Sequence, residues 1–297
     1  MVFVEGVLPY NRLNVEKEGI PVIMAWKDDV TERFSIAQDA KKWDQMYARD
    51  TDNLDDHIFR LRRDYTVEYL VNHYGVEAQL CDVGCGAGPV TYEMLRRGYD
   101  IVGLDYSRDM LENAAKRLVD GQLDRKPLIN CNSEALPFED GVFDGVVCLG
   151  VISYVEHYEN IIKEIHRILK PGGTVLISFR SRSNLLANDP VFLVHDVLKR
   201  PFAARRTRPF KIGHYMRTRE VRELIEANGF VCTDFKGIGF GPYSVAHKPL
   251  FSASTSIKLS DAITRLAGRL KAGFLFRIAT DVNILIFRKL AADESSA

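Results

Sequence analysis

Gly84, Gly86 and Gly88 alternate through Asp82-Val83-Gly84-Cys85-Gly86-Ala87-Gly88, where a short apolar run, Gln79 to Val83, gives way to a helical pattern opened by Pro89. Glycines at a strand-to-helix turn let the backbone bend sharply and come close to a ligand. Proline suits a first helical position, because its φ is pre-set and it has no amide hydrogen to waste. The chemistry this allows is the cradling of a nucleoside against the carboxyl end of a strand. A carboxylate follows where that chemistry needs one. Asp100-Ile101-Val102-Gly103-Leu104 reads as the next strand, and Asp105 at its end, with Tyr106 beside it, is placed to accept from ribose hydroxyls. A dinucleotide fingerprint would need a third glycine where Pro89 stands, and no Tyr-x-x-x-Lys pair occurs. A nicotinamide-dependent oxidoreductase is therefore a poorer reading.

The elements that must hold these residues alternate. Strands are expected near 79–83, 100–104, 127–131, 143–149 and 174–179, with helices near 89–97, 109–120 and 156–169. That order predicts an α/β fold, a parallel sheet with helices on both faces. Helical patterns at about 36–48 and 58–74 precede it. Arg219 to Asn228 reads as a later helix, and Phe230 to Lys236 and Asn283 to Arg288 as two late strands. The division this predicts is an N-terminal extension with covering helices (1–74), a main domain (75–290) and a frayed tail (291–297). Residues 181–217 and 237–279 interrupt the main domain. Long loops at the carboxyl edge of such a sheet build substrate sites. Residues 1–30 give no reading beyond two short candidate strands.

These segments together resemble the class I S-adenosylmethionine-dependent methyltransferases, in the branch that includes quinone-biosynthesis and other small-molecule enzymes. Asp82 to Gly88 looks like their first motif and Leu104-Asp105 like their second. Asn132-Ser133-Glu134-Ala135-Leu136-Pro137-Phe138 is similar to the loop that frames the adenine. Phe143-Asp144-Gly145-Val146-Val147 resembles the fourth strand, and Leu169-Lys170-Pro171-Gly172-Gly173-Thr174-Val175-Leu176-Ile177 the turn into the fifth. The resemblance covers about residues 79 to 180. It implies a Rossmann-like, doubly wound, mostly parallel seven-stranded sheet with an antiparallel last strand, and S-adenosyl-L-methionine as cofactor. It also implies cofactor contacts from Asp82, Gly84, Gly86, Gly88, Asp105, Tyr106, Asn132, Ser133 and Leu149. Asp82 would bond loop amides or reach the methionine ammonium. Asn132 stands where the family usually has aspartate, so its contact with the adenine amine would lack charge assistance. Tyr47, in Trp43-Asp44-Gln45-Met46-Tyr47, would lie over the cofactor or pack as a core tyrosine. Arg62 and Arg63 would hold its carboxylate or form a solvated face.

Methyl transfer from a sulfonium asks the protein to bind, align and exclude water. An oxygen acceptor also benefits from a base. His157, after the fourth strand, is the candidate base, and Tyr154 the candidate beside it for lining the acceptor site. On that ground oxygen is the preferred acceptor atom, with nitrogen and carbon open. A non-catalytic module with a retained cofactor pocket is the remaining alternative. The chain lacks Asn/Asp-Pro-Pro-Tyr after the fourth strand, where Cys148-Leu149-Gly150-Val151 stands, which argues against amino methylation of nucleic-acid bases. No carboxylate–histidine cluster has metal-ligand spacing, so no metal is expected.

Lys199 to Arg219 holds eight lysines and arginines and no acid. It reads as a solvated loop or as a site for an anionic group such as a lipid head. Net charge is +0, which gives no global attraction for nucleic acid. The most apolar late segment, Phe274 to Phe287, is broken by Arg277 and Asp281, so no span is expected. Contact of the Ser252 to Phe276 region with a membrane surface stays open beside packing on the core. Glu5 interrupts any leader-like start, and five cysteines without a Cys-x-x-Cys pair read as reduced thiols of a cytoplasmic protein.

Overall fold

The computed structural model describes residues 53–123, 127–182, 215–241, 243–245, 248–270 and 273–291. Tyr47, the helix expected around it and most of the basic segment lie outside them.

The first described helix, α1 (Leu54–His73), begins one turn earlier than the apolar pattern indicates. The reason is its cap: the Asn53 side chain accepts from the Asp55 amide at 2.9 Å, and Asp55 and Asp56 occupy the first turn. The chain then alternates as expected: β1 (Gln79–Val83), α2 (Pro89–Arg96), β2 (Asp100–Asp105), α3 (Arg108–Asp120), β3 (Leu128–Asn130), β4 (Phe143–Leu149), α4 (Tyr158–Ile168) and β5 (Leu169–Arg180). It continues with α5 (Thr218–Glu226), β6 (Phe230–Phe240), a small hairpin of β7 (Ser244–Val245) and β8 (Lys248–Pro249), α6 (Ala253–Arg269), α7 (Gly273–Ala279) and β9 (Thr280–Lys289).

Seven strands form one sheet in the order β3-β2-β1-β4-β5-β9-β6. The first five are parallel, and β9 runs antiparallel between β5 and β6. This is the doubly wound, mostly parallel sheet the sequence implied. Strand order reverses between β1 and β4, and in such sheets a crevice opens beyond the strand ends at that point. Both faces are packed. On one, α1 and α2 bury Ile58, Leu70, Val90 and Met94; on the other, α4 and α5 bury Ile161, Ile165, Val221 and Ile225.

The late strands are longer than their apolar runs. β6 continues through Gly237-Ile238-Gly239-Phe240, past the end expected at Lys236. The two glycines are needed because neighbours press on the strand. A Cβ on Gly237 would lie 2.4 Å from the Phe276 carbonyl oxygen, and one on Gly239 would lie 2.4 Å from Ile58. β9 starts at Thr280 because it pairs with this extension, Thr280 opposite Phe240 and Val282 opposite Ile238. α6 starts at Ala253 because Ser252 caps it, its side chain accepting from the Thr255 amide at 3.2 Å.

Candidate functional site

Buried Leu80, Cys81 and Val83 anchor β1, and its carboxyl end delivers the chain into a loop with Gly84, Gly86 and Gly88 at φ of 71°, 56° and 70°. That region is costly for any residue with a Cβ. Each glycine has its own reason. A Cβ on Gly84 would meet Val151 at 2.2 Å, and one on Gly88 would meet Ala114 at 3.0 Å, so Gly88 serves the packing of α2 on α3. A Cβ on Gly86 would meet nothing within 4 Å, and Gly86 lines the cavity. The open space over that glycine can admit a ligand against bare backbone.

Asp105 braces the loop. Its two carboxylate oxygens accept from the Gly86 and Ser107 amides, each at 2.8 Å, and the Cys85 amide donates to the Leu104 carbonyl at 2.8 Å. The loop amide is therefore held by Asp105 and not by Asp82. Asp82 accepts instead from the Thr91 hydroxyl at 2.8 Å, from the first turn of α2. Desolvation raises both carboxyls. Burial, opposed by the Thr91 bond and reinforced by the Asp105 charge, pushes Asp82 up to about 7. Burial also raises Asp105, while the Ser107, Gly86 and Tyr106 amides pull it back.

The cavity encloses about 1090 Å³ counted to its open mouth. Of the site candidates named from sequence, Asp82, Gly84, Gly86, Asp105, Tyr106, Ser133, Leu149 and Tyr154 line it. Apolar neighbours complete the wall: Leu104, Met110 and Cys131 on the β2–β3 side, and Val151 and Val155 after β4. Asn132 is not among the lining residues; its side-chain oxygen accepts from the Glu134 amide at 3.2 Å and shapes its own turn. His157 is exposed at the N-cap of α4 and outside the lining, whereas Tyr154, one turn earlier, lines the wall. Cys85 and Cys131 also line the cavity, and burial raises both thiols, Cys131 to about 12, so neither is a nucleophile at neutral pH.

Of the two positions open to Arg62 in sequence, the solvated face is excluded by its burial. Arg62 is 6% exposed and lines the cavity, its guanidinium 4.4 Å from the Phe59 ring centroid and its Nη1 donating weakly to Ser178 Oγ at 3.5 Å. Gly150, at φ 80°, leaves room for it, since a Cβ there would lie 3.0 Å from Arg62 Nη1. The signal was present: Ile58, Arg62 and Thr66 recur every fourth residue along the buried stripe of α1. Arg62 also draws the Asp82 carboxyl down, so a buried cation and a buried acid share one cavity. Among the described residues no group of three or more potential ligands could hold a metal.

Residues 81–177 match the family model described as "Methyltransferase domain". Among curated proteins, the chain is 29% identical over 175 residues to the demethylmenaquinone methyltransferase of Lactococcus lactis, covering 54% of this chain and 69% of that protein. It is 30% identical over 162 residues to the ubiquinone biosynthesis O-methyltransferase of Methylococcus capsulatus, covering 54% and 66%. The matched stretches span from 45% to 73% of the curated relatives' own length. Among solved structures, magnesium protoporphyrin IX methyltransferase from Synechocystis PCC 6803, with bound SAH, superposes at a TM-score of 0.58 and 17% identity over 89% of this chain and 100% of that one.

Proposed function

We propose, from the premise that this chain is a class I S-adenosylmethionine-dependent methyltransferase, that it methylates an oxygen of a small, lipid-like metabolite. The cofactor, when bound, supplies a methyl group made electrophilic by the positive sulfur that carries it. Everything else is the chain's work. Asp105 is assigned the ribose hydroxyls, with Tyr106 at its side. Leu104, Met110, Cys131 and Ser133 take the base, and Asn132 supports them only through its turn. Gly84 and Gly86 give backbone contact. Asp82 and Arg62 suit the two charges of an amino-acid zwitterion, ammonium to Asp82 and carboxylate to Arg62. Gly88 and His157 are left with structural positions in this assignment.

The observation that carries the reading is the Asp105-anchored glycine loop opening on a cavity that also holds the Asp82 and Arg62 pair. The acceptor side is built by Leu149, Val151, Tyr154 and Val155, an apolar wall with one phenol. Apolar walls exclude water from a reactive methyl donor, and they suit a lipid-like acceptor such as those named for the quinone relatives. Oxygen as the acceptor atom draws support from the relative named as an O-methyltransferase, and from Tyr154, whose hydroxyl can orient an acceptor hydroxyl. An anionic acceptor would be met by Arg63, also on the lining. The five free cysteines suit a cytoplasmic setting, and no described helix is long and apolar enough to cross a membrane.

Three measurements test this. Calorimetry should show binding of S-adenosylmethionine and none of a nicotinamide dinucleotide; the reverse would overturn the assignment. Isotope from the labelled methyl group should appear in a phenolic or quinol acceptor, with product analysis placing it on oxygen. Label on nitrogen or carbon would correct the atom, and silence across all acceptors would favour a binding module. Tyr154→Phe should lower turnover about tenfold, the worth of one orienting hydrogen bond, with cofactor affinity within about twofold. Unchanged turnover would leave Tyr154 as wall only.

Gly86→Ala separates ligand contact from folding. The added methyl meets no protein atom within 4 Å, so stability should fall only by the ~1–2 kcal/mol of left-handed strain. Cofactor affinity should fall at least tenfold, because the methyl occupies the ligand's contact surface. Affinity within twofold of wild type in the folded variant would count against Gly86 touching the ligand.

A further inference from the structure

Among the described residues, four of the nine exposed large hydrophobic side chains, Leu250, Phe251, Leu266 and Leu270, fall within residues 250–270. Leu266 is 57% exposed and Leu270 68%. Leu266 lies in the last turn of α6 and Leu270 is its C-cap. The inward face of α6 carries Ser256, Ser260 and Ala267, all buried, with Ile257 and Ile263 packed partly buried on the core, and Ser260 Oγ accepts from the Phe240 amide at 2.9 Å. Its outward face carries Lys258, Ala262, Arg265, Leu266 and Arg269, all exposed, at spacings of four, seven, eight and eleven residues. The acid of this helix, Asp261, is turned back onto His57 of α1 at 2.9 Å. The outward face therefore has three cations, no acid and flanking leucines. None of those cations forms an ion pair among the described residues.

We infer that this face of α6 docks on an anionic lipid surface. Charge selects the occupant: a chain of net charge +0 has gathered cations on one exposed helix face beside leucines, the pattern of a helix lying in a bilayer interface. Position gives the docking a purpose. α6 is tied to the carboxyl end of β6 through Ser260 and to α1 through Asp261, and α1 carries Arg62, stacked on Phe59, to the cavity. A bilayer on this face lies beside the helix that walls the site, where a lipid-like acceptor would arrive. That purpose rests on the methyltransferase reading; the docking itself does not.

The test is flotation of the purified full chain with vesicles of phosphatidylcholine alone, and of phosphatidylcholine and phosphatidylglycerol in equal parts. The protein should float with the anionic vesicles only, and salt should weaken the association. Each cation near such a surface is worth about fivefold in partitioning. Arg265→Glu with Arg269→Glu should therefore cut binding more than tenfold, and so should Leu266→Asp with Leu270→Asp. These positions are exposed, so the folded state and the calorimetric affinity for S-adenosylmethionine should be unchanged. Wild-type protein that fails to float, or variants that float equally well, would overturn the inference. So would a dimer in sedimentation velocity that the Leu266→Asp, Leu270→Asp variant dissociates, since the face would then join two copies. Normal cofactor affinity without flotation would sink the docking alone; absent cofactor affinity with flotation would sink the enzyme reading alone.

Discussion

Asp105→Ala is expected to reduce cofactor affinity by about 10²–10³-fold, the largest binding effect of any single substitution in this chain. Two losses combine. The carboxylate is the proposed partner of the ribose hydroxyls, and a hydrogen bond to a charged group contributes about 1.5–3 kcal/mol. It also holds the Gly86 and Ser107 amides at 2.8 Å each. Alanine leaves both donors unpaired and frees the glycine loop that should meet the ligand. Asp105→Asn should do nearly as badly, because one of its two positions becomes a donor facing a backbone donor. Calorimetry gives the affinity, and thermal unfolding shows how much of the loss is the loop alone. Affinity within twofold of wild type in a folded Asp105→Ala protein would remove Asp105 from the site.

The loop and its carboxylate were legible because local rules and tertiary structure agree there. A short strand of five residues, glycines with no Cβ to accommodate and an acid at the next strand end all signal in one dimension. The same holds for the sheet core, where β1 and β4 match their expected bounds residue for residue. Legibility failed where a long-range neighbour decides. β6 runs past its expected end through Gly237 and Gly239, against which Phe276 and Ile58 are brought. Arg62 looks like a solvated cation until Gly150, nearly ninety positions away, clears a place for it. His157 and Tyr154 lie within one turn of each other, and only the three-dimensional path after β4 decides that the tyrosine lines the wall and the histidine faces solvent. Asn132 shapes its own turn and does not line the cavity, its oxygen accepting from the Glu134 amide.

The buried acid beside the loop leads to the second large effect, a proton coupled to ligand binding. In the free protein burial holds the Asp82 carboxyl at about 7 against an ordinary 3.8, with Asp105 opposing a second negative charge. Its folded value is therefore raised, so the stability it contributes is fully present below about pH 4 and is lost as pH rises through 7. The gap between about 7 and 3.8 is worth on the order of 4 kcal/mol. Asp82→Asn keeps an oxygen for the Thr91 hydroxyl and removes the buried charge. It should melt higher than wild type at pH 8 by most of that amount, with the advantage shrinking to nothing near pH 4. A cationic ligand has the opposite preference, because the ammonium of the cofactor favours the ionised carboxylate. Binding must then expel the proton. Affinity should rise by up to tenfold per pH unit on approach to 7 and level off above it. Calorimetry in buffers of different ionisation enthalpy should register close to one proton released at pH 6, and none at that pH in Asp82→Asn. The variant should also bind more weakly than wild type above pH 7, where the lost charge is the ammonium's partner. A wild-type affinity that is flat from pH 5.5 to 8, with no proton released, would mean that the cation of the ligand lies elsewhere and that Asp82 serves only Thr91.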